Sequence, residues 1–212
     1  RMIGKSLLMR EIRASIGSIA STDSNVLITG ESGTGKELVA ELIHRNSSRA
    51  HQPFVCINCA AIPDGLLESE LFGYERGSFT GAYSASKGKL KFGDGGTIFL
   101  DEIGDMSPYA QAKILRVIES REVQRLGGSA NIPLNVRFIA ATNNDLEQSV
   151  LEKTFRKDLY YRLNVAGIHL PLLRDRKEDI PSLCDHYIGA LNRHFGRQVE
   201  GFTEETTEML LR

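Results

Sequence analysis

The segment GESGTGKE, residues 30–37, gathers residue types that hold phosphate. Gly30, Glu31, Ser32, Gly33, Thr34, Gly35 and Lys36 satisfy G-x-x-x-x-G-K, a loop whose backbone N–H groups and following helix N-terminus cradle an anion. Glycines admit the anion without Cβ clashes, and Lys36 reaches the outer phosphates as a mobile point charge. Glu37 stands where Ser or Thr ordinarily contacts magnesium. A second stretch, TIFL, runs straight into Asp101 and Glu102. Two carboxylates ending a buried strand cost desolvation unless a cation or water network receives them, and a magnesium nucleotide supplies both. On this reading Asp101 holds Mg2+ and Glu102 polarises a water for in-line attack on the terminal phosphorus. Thr142, Asn143 and Asn144 end a further apolar run, suited to hydrogen-bonding a phosphate oxygen or that water, and equally ordinary as turn residues. An Asn-Lys-x-Asp box for guanine is absent, so ATP is the favoured nucleotide.

These side chains need a scaffold that brings strand ends together. Apolar runs at VLIT, 54–57, GTIFLDE, NVRFIAATN and VAGIHL alternate with helical spacing at 7–19, 37–45, SPYAQAKILRVIES and TFRKDLYYRL. Such alternation predicts an α/β fold with a mostly parallel sheet flanked by helices, and active residues at the strands' carboxyl ends. After Pro171 only helical patterns follow, EDIPSLCDHYIGALNRHF and TEETTEMLLR. This divides the chain into an α/β subdomain at 1–172 and a second, helical piece, cut short, at 173–212.

Composition narrows the classes. The 212 residues carry 26 Lys and Arg against 27 Asp and Glu, a net charge of -1 that disfavours a DNA-binding surface on this segment. No run reaches the ~18 apolar residues of a membrane span, and RMIGKSLLMREIR lacks a signal peptide's apolar stretch, which points to the cytosol. Cys56, Cys59 and Cys184 are too few for a disulfide framework, and the CINC pair alone is a weak metal signal. His44 reads as a helix-end or surface residue.

With GESGTGKE, GSFTGA, GGTIFLDE, ATNNDL and FRKDLYYRLN in this order, nearly the whole chain resembles the AAA+ ATPase domain of sigma-54-dependent transcriptional activators, the bacterial enhancer-binding proteins. GSFTGA resembles their distinguishing GAFTGA loop, with Ser78 for the usual alanine. The resemblance explains Glu37, since GTGKE is the family pattern. It also implies that 1–172 is an ATPase subdomain and 173–212 the beginning of its helical lid, and that Asn58 pairs with the catalytic Glu102 and couples nucleotide state to the loop. Arg156 and Arg162 are implied as arginine fingers for a neighbouring subunit, and Ile3 and Gly4 as a cover over adenine. On one helix the two arginines would lie roughly 600° apart, so both serve one phosphate only if that helix is short or frayed. Residues 124–133 resemble a second mobile loop. Leu172 replaces a proline common in the family, and the lid's later helices and any helix-turn-helix would lie beyond Arg212.

Phe79, flanked by glycines, charge and hydroxyls, fits neither a strand nor a helix period. An exposed aromatic of this kind suits gripping another protein, and by resemblance Phe79 and Thr80 engage the sigma-54 factor on RNA polymerase. The plain alternative is a surface turn with Phe79 against Leu71 or Phe72. The implied whole is an ATP-hydrolysing homo-oligomeric ring, hexameric in the family, that touches DNA only through a domain outside this chain. Its rivals are a nucleotide-gated binding module without hydrolysis, or a DNA-remodelling AAA+ protein.

Overall fold

The structure, a computed structural model, describes residues 2–211, apart from the side chain of Asp64. Arg1 and Arg212, the outer limits of the two expected subdomains, lie outside the described residues. The elements in chain order are α1 (Leu7–Ala20), β1 (Val26–Thr29), α2 (Lys36–Arg45), β2 (Phe54–Asn58), α3 (Asp64–Phe72), α4 (Gly88–Phe92), β3 (Thr97–Asp101) and α5 (Pro108–Ser120). They continue as β4 (Glu122–Gln124), β5 (Asn131–Pro133), β6 (Arg137–Thr142), α6 (Leu146–Leu151), α7 (Lys157–Leu163), β7 (Ala166–His169), α8 (Ile180–Phe195) and α9 (Glu204–Leu211).

Five strands form one parallel sheet in the order β2-β3-β6-β1-β7, and β4 and β5 form an antiparallel hairpin. Side chains alternate across each strand, which separates two cores. Leu27, Ile98, Leu100, Phe138 and Ala140 face α3, α4, α5 and α7. Val26, Ile28, Phe99, Ile139 and Ala141 face α1 and α2. Burial on both faces makes these strands apolar throughout, the signature of a parallel sheet. Phe138 is fully buried, and truncating such a ring costs about 3–5 kcal/mol.

Helix ends follow their sequence signals. Ser107 caps α5 by accepting the Ala110 N–H at 3.3 Å, and Pro108 opens its first turn. Ser6 caps α1 likewise, accepting the Met9 N–H at 3.3 Å. The far end of α1 is held by the buried Arg137, which donates to the carbonyl of Ile19 at 2.9 Å and that of Ser24 at 3.1 Å.

The expected α/β organisation is present, and three further helices, α3, α4 and α6, went unread in the sequence. His44 is at a helix end as expected, and it is not on the surface. It lies in the last turn of α2 yet is buried, stacked on Phe54 at 5.0 Å, with Nδ1 2.9 Å from the Thr97 hydroxyl. Burial lowers its pKa and keeps the ring neutral. Past β7 a 3-10 segment, Leu173–Asp179, leads into α8 and α9, neither of which has a fully buried residue.

Candidate functional site

The carboxyl ends of β1, β3 and β6 lie side by side, with Thr29 paired to Thr142 and Leu100 to Ala140. The glycine loop leaves β1 and enters α2 through Gly33 and Gly35, whose φ of +80° and +100° would strain any other residue. A Cβ at Gly30 would come within 3.0 Å of both the Leu170 carbonyl and the Thr34 hydroxyl. Lys36 is buried and donates to the Gly30 carbonyl at 3.0 Å. A glycine-rich cradle at a helix N-terminus with one inward lysine fits phosphate.

Glu102 has φ 50° and ψ 52°, a left-handed backbone that costs a non-glycine residue about 1–2 kcal/mol. The surrounding contacts hold it there. Its carboxylate lies 3.2 Å from Lys36 Nζ and accepts the Asn143 N–H at 3.0 Å. Burial raises the Asp101 pKa, the neighbouring Glu102 charge adds to that, and Lys36 opposes it. A carboxyl pair short of positive charge fits a divalent cation. Among the described residues no group of three or more His, Cys, Asp or Glu could hold a metal, so magnesium here would draw on phosphate and water beside Asp101.

Asn58 and Thr142 differ from what was expected of them. The Asn58 amide donates to Asp101 at 3.4 Å, not to Glu102, and its oxygen accepts the N–H groups of Ala60 and Ala61 at 3.0 and 2.9 Å. The reason is register: Asn58 pairs with Asp101, the residue before Glu102. Thr142 is fully buried; its hydroxyl accepts the Asn144 N–H at 3.0 Å and shapes the turn, and its carbonyl accepts the Gly30 N–H at 3.3 Å. Asn143 meets Glu102 through its main chain. Burial pushes the Cys56 thiol up to about 11 and the Cys59 thiol up to about 12, so neither offers a thiolate near neutral pH.

A cavity of about 610 Å³ adjoins the glycine loop, lined among others by Ile3, Met9, Leu38, Arg174, Leu183 and Tyr187. It suits a flat aromatic base. Ile3 lines it; Gly4 instead lines the neighbouring cavity of about 830 Å³. Behind them the fully buried Asp179 accepts from the Lys5 N–H, from the Ser6 N–H at 2.8 Å and from the Ser6 hydroxyl at 2.6 Å. A Cβ on Gly4 would sit 2.8 Å from that carboxylate. Arg174 reaches Glu31 at 3.4 Å. Sequence reasoning missed Leu38, Arg174, Leu183 and Tyr187, whose helical or loop positions carried no chemical signal.

Arg156 is not on α7 but is its extended N-cap, at φ -74° and ψ 128°, so the two arginines do not share one helix. Both are exposed: Arg156 pairs with Asp158 at 2.7 Å and Arg162 with Glu119 at 3.3 Å.

The GSFTGA segment is a tight loop in which Gly77 donates to Ala82 at 2.9 Å and Ala82 to Phe79 at 3.0 Å. Phe79 is 43% exposed, and its ring stands edge-on to Tyr74, centroids 5.0 Å apart. Thr80 is exposed. Below, Glu75 pairs with Arg125 at 2.9 Å, and Ser78 presses on Gly127, tying the loop to residues 125–127. Gly73 and Gly88 pack backbone to backbone, since a Cβ on Gly88 would lie 2.3 Å from the Gly73 nitrogen.

This strand order, with the glycine loop after β1 and paired acids at the end of β3, defines a P-loop AAA+ fold. The chain belongs to the Sigma-54 interaction domain family, which matches residues 2–169. It is 51% identical over 210 residues to the DNA-binding transcriptional activator HyfR of Escherichia coli (strain K12), covering 99% of this chain and 31% of that protein. It is 53% identical over 196 residues to the Nif-specific regulatory protein of Azotobacter vinelandii, covering 92% of this chain and 38% of that protein. Among solved structures, NtrX from Brucella abortus in complex with ADP superposes with a TM-score of 0.93 at 39% identity, covering 100% of this chain and 46% of NtrX. The chain thus spans about a third to a half of the length of these relatives. Among the described residues no helix is long and apolar enough to cross a membrane.

Proposed function

We propose that this chain binds and hydrolyses ATP as one subunit of a homo-oligomeric ring, hexameric by family resemblance, and uses the cycle to drive the GSFTGA loop against sigma-54 on RNA polymerase. Residues 173–212 would be the start of the helical lid, and the site of action the bacterial cytoplasm. The observation that carries the reading is the strained Glu102, held 3.2 Å from Lys36 beside the phosphate cradle. Strain retained at a carboxylate in such a place marks a working group.

The glycine loop and Lys36 bind the triphosphate, and Ile3, Leu38 and Tyr187 enclose the base. Bound at Asp101, Mg2+ would neutralise charge on the outer phosphates. Glu102 accepts a proton from the attacking water while the Asn143 N–H fixes its direction. Asn58, bonded to Asp101, reports the state of that carboxylate to residues 60 and 61 and so toward the loop. Arg156 and Arg162 are exposed and would leave Asp158 and Glu119 to reach a neighbouring subunit's nucleotide. Phe79 and Thr80 form the tip that meets sigma-54.

Placing hydrolytic groups on two chains makes activity depend on assembly. Specific ATPase activity should climb with protein concentration, and Arg162→Ala should abolish it with ADP binding retained. A rate independent of concentration would remove the shared-site reading, and phosphate release unchanged in Glu102→Gln would remove the assignment of the base.

A further inference from the structure

Gln111, on α5, is fully buried and uses every hydrogen-bonding group of its amide donors and one acceptor position. Nε2 donates to the Met106 carbonyl at 2.8 Å and to the Thr154 carbonyl at 3.0 Å; Oε1 accepts the Arg156 N–H at 2.9 Å. A polar amide in a helix core is costly unless paired, and the neighbouring Ile114 and Leu115 show that this face takes apolar side chains. Met106 ends the 3-10 turn that leaves Glu102, its N–H donating to Ile103. Thr154 and Arg156 flank Phe155, which is buried in the same core. Gln111 therefore joins the segment after the proposed base to the segment that carries Arg156.

Its weight falls on the second. Glu102 has independent holders in Lys36 and the Asn143 N–H. The Arg156 guanidinium lies on Asp158, but that partner is only two residues along the same segment; the main chain of Arg156 opens α7 without a side-chain cap, and its N–H is taken by Gln111. We infer that Gln111 is a positioning residue that aims Arg156 at the nucleotide of the adjoining subunit. This rests on the proposal that Arg156 acts across a subunit boundary.

The test mixes two impaired proteins. Gln111→Met keeps the packing volume and removes the amide; turnover at saturating ATP should fall between about 10- and 100-fold, the cost of a misplaced group, with ADP affinity within about twofold. Gln111→Glu keeps the acceptor for Arg156 and loses both donors, and should fall less. Glu102→Gln supplies a subunit with a silent base and an intact Arg156. Mixing it with Gln111→Met should restore turnover, because each Gln111→Met site would then be served by the neighbour's Arg156. Arg156→Ala mixed with Glu102→Gln is the control. Recovery in the control without recovery for Gln111→Met overturns the inference alone and places Gln111 with its own subunit's base. No recovery in the control overturns the shared site, and the inference with it. Loss of ADP binding in both Gln111 variants overturns the inference by making Gln111 a requirement of the fold.

Discussion

Asp179 fastens residues 4–6 to the start of the helical segment, and its removal should loosen both the fold and the base cavity. Asp179→Ala deletes the acceptor of three donors: the N–H groups of Lys5 and Ser6 and the Ser6 hydroxyl. Bonds to a charged acceptor contribute about 1.5–3 kcal/mol each and do not add fully, since the freed N–H groups regain some water; about 3–5 kcal/mol follows. In a chain of this size each kcal/mol moves Tm by about 2–4 °C, so alanine should melt about 6–20 °C lower and Asp179→Asn, which keeps one acceptor, about half as much. Burial alone would raise the carboxyl's pKa, but the hydrogen bonds from Ser6 and Lys5 outweigh it and hold it below its ordinary value of 3.8. A depressed folded pKa gives stability that is complete above the unfolded pKa and lost as pH falls through the folded one. The gap between the unsubstituted chain and Asp179→Asn should therefore stay constant from pH 8 to 5 and shrink below about pH 4. Calorimetry across that range, with ADP titration at pH 7, is the assay. A Tm for Asp179→Ala within about 2 °C of the unsubstituted chain, or ADP affinity unchanged in a variant so destabilised, would refute the clasp.

Further perturbations follow from other contacts. Lys36→Ala should weaken ADP binding about 10- to 150-fold, the worth of one charge-assisted contact, measured by fluorescence titration. Phe79→Ala gives up the edge-on pair with Tyr74 from a ring already 43% exposed, so stability should change by less than about 1.5 kcal/mol and ATP turnover little, while pull-down of sigma-54 is lost. Cys59, buried and with its thiol pushed up to about 12, should react with an aromatic disulfide reagent at pH 8 only after denaturation.

Much of this was legible in the residues. Both-face burial leaves apolar runs, so the sheet strands announce themselves, and Ser107 with Pro108 marks the start of α5 as cap and first turn should. The phosphate loop and the Asp101–Glu102 pair were legible because their chemistry needs those types at that spacing. Helix α3 was not: its apolar residues point to opposite sides, Leu67 and Leu71 buried and Leu66 57% exposed, so no stripe appears. The direction of a side chain was equally hidden. Thr142 turns inward and Asn58 meets Asp101 because of register, which no single strand's sequence states. The roles of Asp179 and Gln111 depend on partners 173 and 45 residues away, and arise only on folding.

The central claim is that nucleotide chemistry in the cradle governs what the Phe79 loop can hold. It is tested most directly by measuring association of the purified protein with sigma-54 in ADP plus a metal fluoride that mimics the transferring phosphate, for the unsubstituted chain and Thr80→Ala. A stable complex formed only with the mimic, and lost in Thr80→Ala while ATP turnover persists, is the predicted result. Association of equal strength with ADP alone, or undiminished in Thr80→Ala, would contradict it.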